Sequence, residues 1–181
     1  MAIATSHSTT LYTLGRGVLS IGDWVGTTPP SSFQDLGNAP SVEVEVTEET
    51  LDHFSSRTGL KLKDKSVVLE SGYMVNFELD ELSVKNLQVY LKATLSGSNV
   101  LLANTAVDKE YALKFVSDNA AGPNETWEFW RCKISPGGPF SLIGDEWLTL
   151  SFAAEGLSDS ENHATSPFFT VTFATTTTTT T

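Results

Sequence analysis

Residues 35–62 read DLGNAPSVEVEVTEETLDHFSSRTGLKL and carry six carboxylates before the first cation, Arg57. Within this stretch, residues 42–47 alternate valine with a polar residue, as VEVEVT. Successive side chains of a β-strand point to opposite faces, so this strand has one apolar and one anionic face. The pattern predicts a strand over residues 41–47 whose apolar face rests on a core. An ordinary half-buried strand with a solvated face accounts for the same spacing.

The sequence that follows predicts a loop and a second strand. Residues 48–72 contain few apolar side chains, and we expect them to form a long extended loop. Residues 73–80, YMVNFELD, alternate apolar and polar side chains and predict the second strand.

One helix is predicted, over residues 83–95. Ser83 is a suitable N-cap, and Gly97 follows the expected end of the helix. Val84, Leu87 and Leu91 lie at helical spacing and form a narrow apolar stripe, which favours a position on the flank of a sheet.

The remaining sequence predicts five more strands, separated by glycine, proline and polar segments. They are residues 16–21, 111–117, 126–135, 146–155 and 168–174. We therefore expect a mainly β fold, a β-sandwich or small barrel with one flanking α-helix and a long extended loop. Residues 15–174 form this single domain, preceded by a flexible N-terminal arm at residues 1–14 and followed by a threonine-rich tail at residues 175–181.

Composition indicates a folded, acidic protein. Of the 181 residues, 40% are hydrophobic and 18% are charged, and 22 acids against 11 bases give a net charge of −11. A surface that grips nucleic acid needs clustered lysine and arginine, so such a surface is not expected. The N-terminal sequence lacks the pattern of a signal peptide, and no apolar run approaches the ~20 residues of a membrane helix. We expect a chain made in the cytoplasm, with no membrane partner.

The residue types needed for catalysis are poorly arranged. His7, His53 and His163 are the only histidines, and none stands in a hydrolase, phosphate-binding or dinucleotide-binding motif. The single cysteine, Cys132, shares alternate positions with Trp130 and Ile134 and is interpreted as a small buried hydrophobe. We predict a protein that is not an enzyme and has no cofactor or metal.

Tryptophan raises a separate possibility, a platform for carbohydrate. Trp127 and Trp130 are an odd number of residues apart and face opposite ways on a regular strand, so a common platform requires a bulge. Trp127 and Trp147 are better interpreted as core or interface anchors.

Residues 16–95 resemble the major tail tube protein of long-tailed, siphovirus-type bacteriophages. The resemblance is carried by GRGVLSIGDW at residues 15–24, LGNAPS at residues 36–41, LDHFSS at residues 51–56 and YMVNFELDELSVKNLQVYL at residues 73–91, in that order. It implies a tail-tube fold, rings of six subunits stacked into a tube, and passage of viral DNA through the tube without specific binding. It also implies a virion tail location after assembly in the host bacterial cytoplasm, and three partners: a tape-measure protein, a tail terminator and tail-tip proteins.

Two groups of site residues follow from the acidic strand together with this resemblance. Candidates for the lumen wall are Glu43, Glu45, Glu78 and Asp80. The family's long loop reaches from one ring to the next, which makes seven residues of the 48–72 segment candidates for contacts between rings: Asp52, His53, Phe54, Arg57, Lys61, Lys63 and Lys65.

Two other functions remain open. One is a β-sandwich binding module, such as a virion decoration protein or an adhesin. The other is the tube protein of a contractile or secretion machine.

Overall fold

A computed structural model describes residues 11–57 and 59–174. Within these ranges the chain forms ten strands and one helix, in the following order. They are β1 (Gly17–Asp23), β2 (Gln34–Asp35), β3 (Ser41–Ser55), β4 (Leu62–Leu79), α1 (Val84–Tyr90), β5 (Thr94–Ser96), β6 (Val100–Leu102), β7 (Tyr111–Ser117), β8 (Glu125–Pro136), β9 (Leu150–Gly156) and β10 (Phe169–Phe173). The predicted mainly β class with one helix is confirmed.

Eight of the strands form one antiparallel sheet. Its order is β2-β1-β7-β8-β9-β4-β3, and β10 pairs with the first half of β8 while β9 pairs with the second half. The sheet ends at β2 and at β3, so among the described residues it is not closed into a barrel. The short strands β5 and β6 form a separate hairpin.

The sheet curls around a single core. Val44 on β3 and Phe115 on β7 line one cavity although they stand four strands apart in the sheet order. Buried side chains from β1, β4, β7, β8 and β9 form one cluster, in which Phe77 and Phe152 stack with ring centroids 4.8 Å apart. The inner faces of the two halves therefore meet as they do in a sandwich.

Strands β3 and β4 form a long hairpin, and the expected extended loop at residues 48–72 is wrong. Residues 47–55 pair with residues 62–72, leaving only residues 56–61 as the turn. The pairing shifts twice, because Leu69 and Asp64 are each an extra residue on β4. The sequence of this segment lacks a regular alternation of apolar and polar residues because both faces of its two strands are exposed.

Helix α1 is shorter than the sequence predicts. Ser83 is its N-cap, with Oγ accepting a hydrogen bond from the Asn86 amide at 3.1 Å, but the helix ends at Tyr90 because Lys92 adopts a positive φ of 47°. Gly97 lies between β5 and β6, not at the helix end. Asn86, Val89 and Tyr90 are the buried residues of the helix. Of the predicted stripe, Leu87 and Leu91 are partly buried and pack against the core, whereas Val84 is exposed.

A bulge in β8 explains a second correction. Leu113 pairs with Phe129 and Tyr111 with Cys132, so β8 has one more residue than β7 in this interval. Phe129, Cys132 and Ile134 are consequently all buried, while Trp130 lies on the other side and stacks on His163. Cys132 is a buried hydrophobe as predicted, but it does not share a face with Trp130.

Strand β9 begins later than predicted. Residues 146–149 belong to the loop after β8, and Trp147 in this loop is 94% exposed rather than part of the core. The predicted arm and tail lie mostly outside the described residues, at 1–10 and 175–181. Residues 11–14 are exposed, and the Leu14 amide donates a hydrogen bond to Asn119 Oδ1 at 3.1 Å.

The aromatic pair in the core yields a stability prediction. Changing Phe152 to Ala should lower the free energy of unfolding by about 3–5 kcal/mol, because the change removes the stacked partner of Phe77 and leaves a cavity. Urea denaturation of the monomer measures the change. Val25 is 75% exposed, and Val25→Ala should change the same quantity by less than about 0.5 kcal/mol. Equal losses in the two variants would contradict the packing of Phe152 against Phe77.

The hairpin yields a second prediction, for the unassembled protein. Amides of residues 50–55 and 62–68 should exchange with deuterium at least about tenfold faster than those of residues 73–79, because the distal strands pair only with each other. Exchange followed by mass spectrometry measures this ratio. Uniform protection along the whole of β4 would show that the distal hairpin is as stable as the body.

Candidate functional site

The outer face of β3, β4 and β9 is acidic. In the pairing of β3 with β4, Val42, Val44 and Val46 stand opposite three buried residues of β4. Directly paired residues lie on the same face, so the alternate positions of β3 must look away from the core. The acidic face consists of Glu43, Glu45, Glu49, Glu70, Glu78 and Glu155.

The carboxylates of the acidic face are exposed and have few partners. Glu49 and Glu70 are directly opposite each other, an arrangement that disfavours the isolated hairpin. Glu78 accepts a long hydrogen bond of 3.4 Å from the Ser151 hydroxyl. Lys133 of β8 pairs in register with Glu155, but its ammonium lies 3.0 Å from Asp108. The face therefore presents negative charge to whatever approaches it.

Three of the four predicted lumen residues belong to this face, and Asp80 has a different role. Its Oδ2 accepts a hydrogen bond from Asn38 Nδ2 at 2.6 Å, and its amide donates to the Asn38 carbonyl at 3.3 Å. The Asn38 amide in turn donates to Glu81 Oε1 at 3.0 Å. Asp80 therefore helps to hold the LGNAPS turn that aligns the start of β3. Gly37 in this turn has a φ of 86°, and a Cβ there would collide with the Glu81 carboxylate.

Beyond the body of the domain, residues 47–72 form a projecting hairpin, which we call the hairpin arm. It exposes a set of large apolar side chains that a two-stranded ribbon cannot bury: Leu51, Phe54, Leu60, Leu62, Val67, Val68 and Leu69. Two paired strands without further support are marginally stable in water. Exposed apolar groups in such numbers mark an interaction surface.

Polar contacts within the arm involve several of the residues predicted to bridge rings. Lys63 Nζ lies 2.7 Å from Asp52 Oδ1, and the Ser66 hydroxyl donates to the same oxygen at 2.6 Å. These hydrogen bonds from Lys63 and Ser66 hold the pKa of the Asp52 carboxyl below its ordinary value. His53 Nδ1 lies 2.6 Å from Asp64 Oδ1.

The three lysines at residues 61–65 therefore differ in whether they form an ion pair within the chain. Lys63 has an acidic partner, Asp52, within its own hairpin. Lys61 and Lys65 are exposed and form no ion pair with the rest of the described chain, and Arg57 is exposed beside them in the turn. Phe54 is exposed at the base of this turn.

A polar cluster around β8 was not apparent from the sequence. Asp159 is 3% exposed, accepts hydrogen bonds from Asn162 Nδ2 at 2.8 Å, and lies 2.7 Å from His163 Nδ1. The His163 ring stacks on Trp130 with centroids 3.8 Å apart. This cluster fixes the 157–168 loop, which the local sequence presents as polar and solvated. In the sequence, only the four-residue spacing of Asp159 and His163 indicates that these two side chains are in contact.

The described residues contain no group of three or more histidine, cysteine, aspartate or glutamate side chains placed to hold a metal ion. None of the helical structure described is both long and apolar enough to cross a membrane.

Comparison with known proteins adds one match. A family model described as "Protein of unknown function UCP028589" matches residues 12–99, which is 88 of the 181 residues. The matched region runs from just before β1 to the turn between β5 and β6, and so contains the acidic strand, the hairpin arm and α1. No curated protein matches the chain. The chain is thus similar, over slightly less than half its length, to a family whose description gives no function.

Proposed function

We propose that this chain is a structural subunit that polymerises into stacked rings, forming the tail tube of a long-tailed bacteriophage and a conduit for viral DNA. The observation that carries the proposal is the hairpin arm, which exposes seven large apolar side chains on a ribbon with no support from its own domain. An arm of this kind becomes stable when a neighbouring subunit covers it. The order of motifs over residues 16–95 supports the choice of a tail tube among self-assembling proteins.

The free edge of the sheet also supports self-assembly. Strand β3 is paired on one side only, over 15 residues, and it presents unpaired amides and carbonyls along its other side. An edge this long is a template for strand addition unless it is blocked. A second copy of the chain can add to it in a repeating manner, which generates a closed ring when the rotation between copies closes.

The acidic face suits the lining of a DNA conduit. A wall lined with lysine would hold duplex DNA at about 10⁻⁴ to 10⁻⁶ M, roughly 5–8 kcal/mol for each local site, and repetition over many rings would arrest the duplex. Carboxylates instead repel phosphates within a Debye length of about 8 Å at physiological salt. In this proposal Glu43, Glu45 and Glu78 face the lumen, Asp80 supports the turn behind them, and no residue has a catalytic role.

The remaining parts of the proposal come from the resemblance. They are six subunits per ring, a virion tail location after assembly in the bacterial cytoplasm, and contacts with a tape-measure protein, a tail terminator and tail-tip proteins. A monomeric binding module, such as a decoration protein or adhesin, would leave the hairpin arm uncovered in solution. Negative-stain microscopy of the purified protein distinguishes the two, because rings or tubes of uniform width are expected only for the assembling subunit.

Removing the distal arm should separate folding from assembly. Residues 50–69 can be replaced by Asn-Gly, a two-residue turn that joins the paired Glu49 and Glu70 directly. The shortened chain should unfold with a free energy within about 1 kcal/mol of the original, because the deleted residues pack on nothing in the body. It should form no tubes under the microscope.

A matched pair of double variants controls for simple loss of exposed apolar area. Leu51→Ser with Val67→Ser changes a cross-strand pair on the arm, and Leu95→Ser with Val100→Ser changes exposed residues on the β5–β6 hairpin. The arm variant should fail to form tubes and the β5–β6 variant should form them normally. Tubes of normal width and length from the shortened chain would refute the role given to the arm.

Charge reversal on the acidic face should create DNA binding. Glu43→Lys with Glu45→Lys should leave tubes intact, because both side chains are exposed, and the assembled variant should retain duplex DNA at low salt with an affinity that falls steeply as salt rises. Salt-dependent co-sedimentation of DNA with tubes measures this retention.

Asp118→Lys with Glu161→Lys makes the same change in net charge at exposed positions away from the acidic face. That control should retain clearly less DNA. Equal retention by the two variants would show that net charge, and not the position of Glu43 and Glu45, governs contact with DNA.

A further inference from the structure

The loop between β8 and β9 exposes three large apolar side chains to solvent. Ile143 is 93% exposed, Trp147 is 94% exposed and Leu142 is 79% exposed. Isolated exposed hydrophobic residues are common, but three within six positions, including a tryptophan, are typical of the centre of an interface. None of the three lies on the hairpin arm or the acidic face.

The two ends of this loop are anchored to the core, so its tip is presented in a fixed position. Phe140 packs edge to face on Tyr90 at 5.0 Å between ring centroids, and the Tyr90 hydroxyl donates to the Gly138 carbonyl. At the other end Leu148 packs against the core. Within the tip, the Ser141 hydroxyl donates to the Ile143 carbonyl at 2.7 Å. A tip that is already ordered loses little conformational entropy when it is covered.

The same chain contains an apolar cavity that its own loop does not fill. The cavity has a volume of about 290 Å³ and lies between the edge strand β3 and the inner side of β7 and β8. Its apolar lining consists of Leu14, Val42, Val44, Phe115, Trp127 and Phe129. Ligand pockets begin at about 300 Å³, so this space is suited to one or two large side chains. Because Ile143 and Trp147 are almost fully exposed, they do not occupy it in their own chain.

The cavity carries one cation and one acid. Arg16 is exposed and forms no ion pair within the part of the chain that the structure describes, whereas Glu125 Oε2 accepts a hydrogen bond from Trp127 Nε1 at 3.1 Å. Asp145 and Glu146 lie between Ile143 and Trp147 in the tip and are exposed. The two acids of the tip can therefore pair with Arg16 at the rim while the apolar side chains enter the cavity.

We propose that the tip of the 139–149 loop, through Ile143 and Trp147, inserts into the β3–β7–β8 cavity of a second copy of this chain. Donor and acceptor are different surfaces of the same molecule, so every copy gives one tip and receives another, and the contact propagates head to tail. The inference rests on the proposed self-assembly and adds to it a second contact, independent of the hairpin arm.

Cross-linking between two variants tests the contact directly. One protein carries Ile143→Cys, the other carries Val44→Cys, and the two are mixed at high protein concentration with a short bifunctional thiol reagent. Cys132 is fully buried, and burial raises the pKa of its thiol, so it should not react. We expect a cross-linked pair containing one copy of each variant. Val25→Cys in place of Val44→Cys is the control, because Val25 is exposed but lies outside the cavity, and it should give no pair.

A double-mutant comparison tests whether tip and cavity act as one contact. Trp147→Ser and Val44→Lys should each raise the protein concentration needed for assembly by about tenfold or more. Combined, they should raise it little beyond the larger single effect, because the contact can be lost only once. Val25→Ser should leave the concentration unchanged. Effects that multiply to about a hundredfold would show two unrelated surfaces and overturn the inference.

Failure of this inference and failure of the proposed function have different signatures. If the original chain forms tubes but the Ile143→Cys and Val44→Cys proteins do not cross-link, the loop contact is wrong and the tube stands. If cross-linking succeeds but microscopy finds no tubes, the head-to-tail contact stands and the tube is wrong. Binding of the original chain to lipid vesicles through Trp147, with no cross-link, would assign the loop to a membrane and overturn the proposal.

Discussion

The rest of the structure depends on a single strand that has to satisfy two environments. The 18 residues of β4 cross from solvent into the core near Gly72, and the change is abrupt because Tyr73 is buried whereas residues 59–71 are exposed. In the inner half, β4 lies between β3 and β9 and places four alternate side chains in the core. In the outer half it has β3 as its only partner. Burial of the inner half fixes the register between β3 and β4, and the outer half continues the same pairing.

The acidic face is a consequence of that same register. The valines of β3 pair with the buried residues of β4, so the glutamates between them must point to the outer face. The burial of these β4 side chains stabilises the fold and also fixes the direction of the negative charge. The Asp80 and Asn38 hydrogen bonds then hold the turn from which β3 begins. A shift of β3 by one residue would place its glutamates opposite the buried residues of β4 and move its valines to the outer face. Stability and surface charge are therefore linked in this molecule.

Alternation of apolar and polar side chains predicted the strands at residues 41–47 and 73–80, and the spacing of glycine, proline and polar segments predicted the strand at residues 111–117. Ser83 was identified correctly as the helix cap. The distal hairpin could not be found, because strands exposed on both faces have no burial to impose alternation. Helix α1 was overestimated because local spacing carries no information about the left-handed residue at Lys92.

Individual site residues were harder to predict than the strands that carry them. Glu43, Glu45 and Glu78 follow from alternation alone, whereas the role of Asp80 depends on Asn38, 42 residues away, which no local pattern reveals. Lys63 and Asp52 meet only because two strands pair across the turn. The bulge in β8 places Trp130 and Cys132 on opposite faces, although they were expected to share one. Trp147 was expected within a strand, but β9 begins only at Leu150.

The extra residue at Leu69 determines how the hairpin can change during evolution. Away from Leu69 and from Asp64, the other extra residue of β4, losing or gaining one residue in a single strand would exchange the two faces of everything beyond it. Leu69 is an extra residue on β4 with no partner on β3. Deletion of Leu69 would make the pairs Glu49–Glu70 and Thr50–Val68 directly consecutive, and every side chain farther along the hairpin would stay on its present face. Related chains can therefore differ by a single residue at this position, with a change in the twist and direction of the hairpin but not in its surface chemistry.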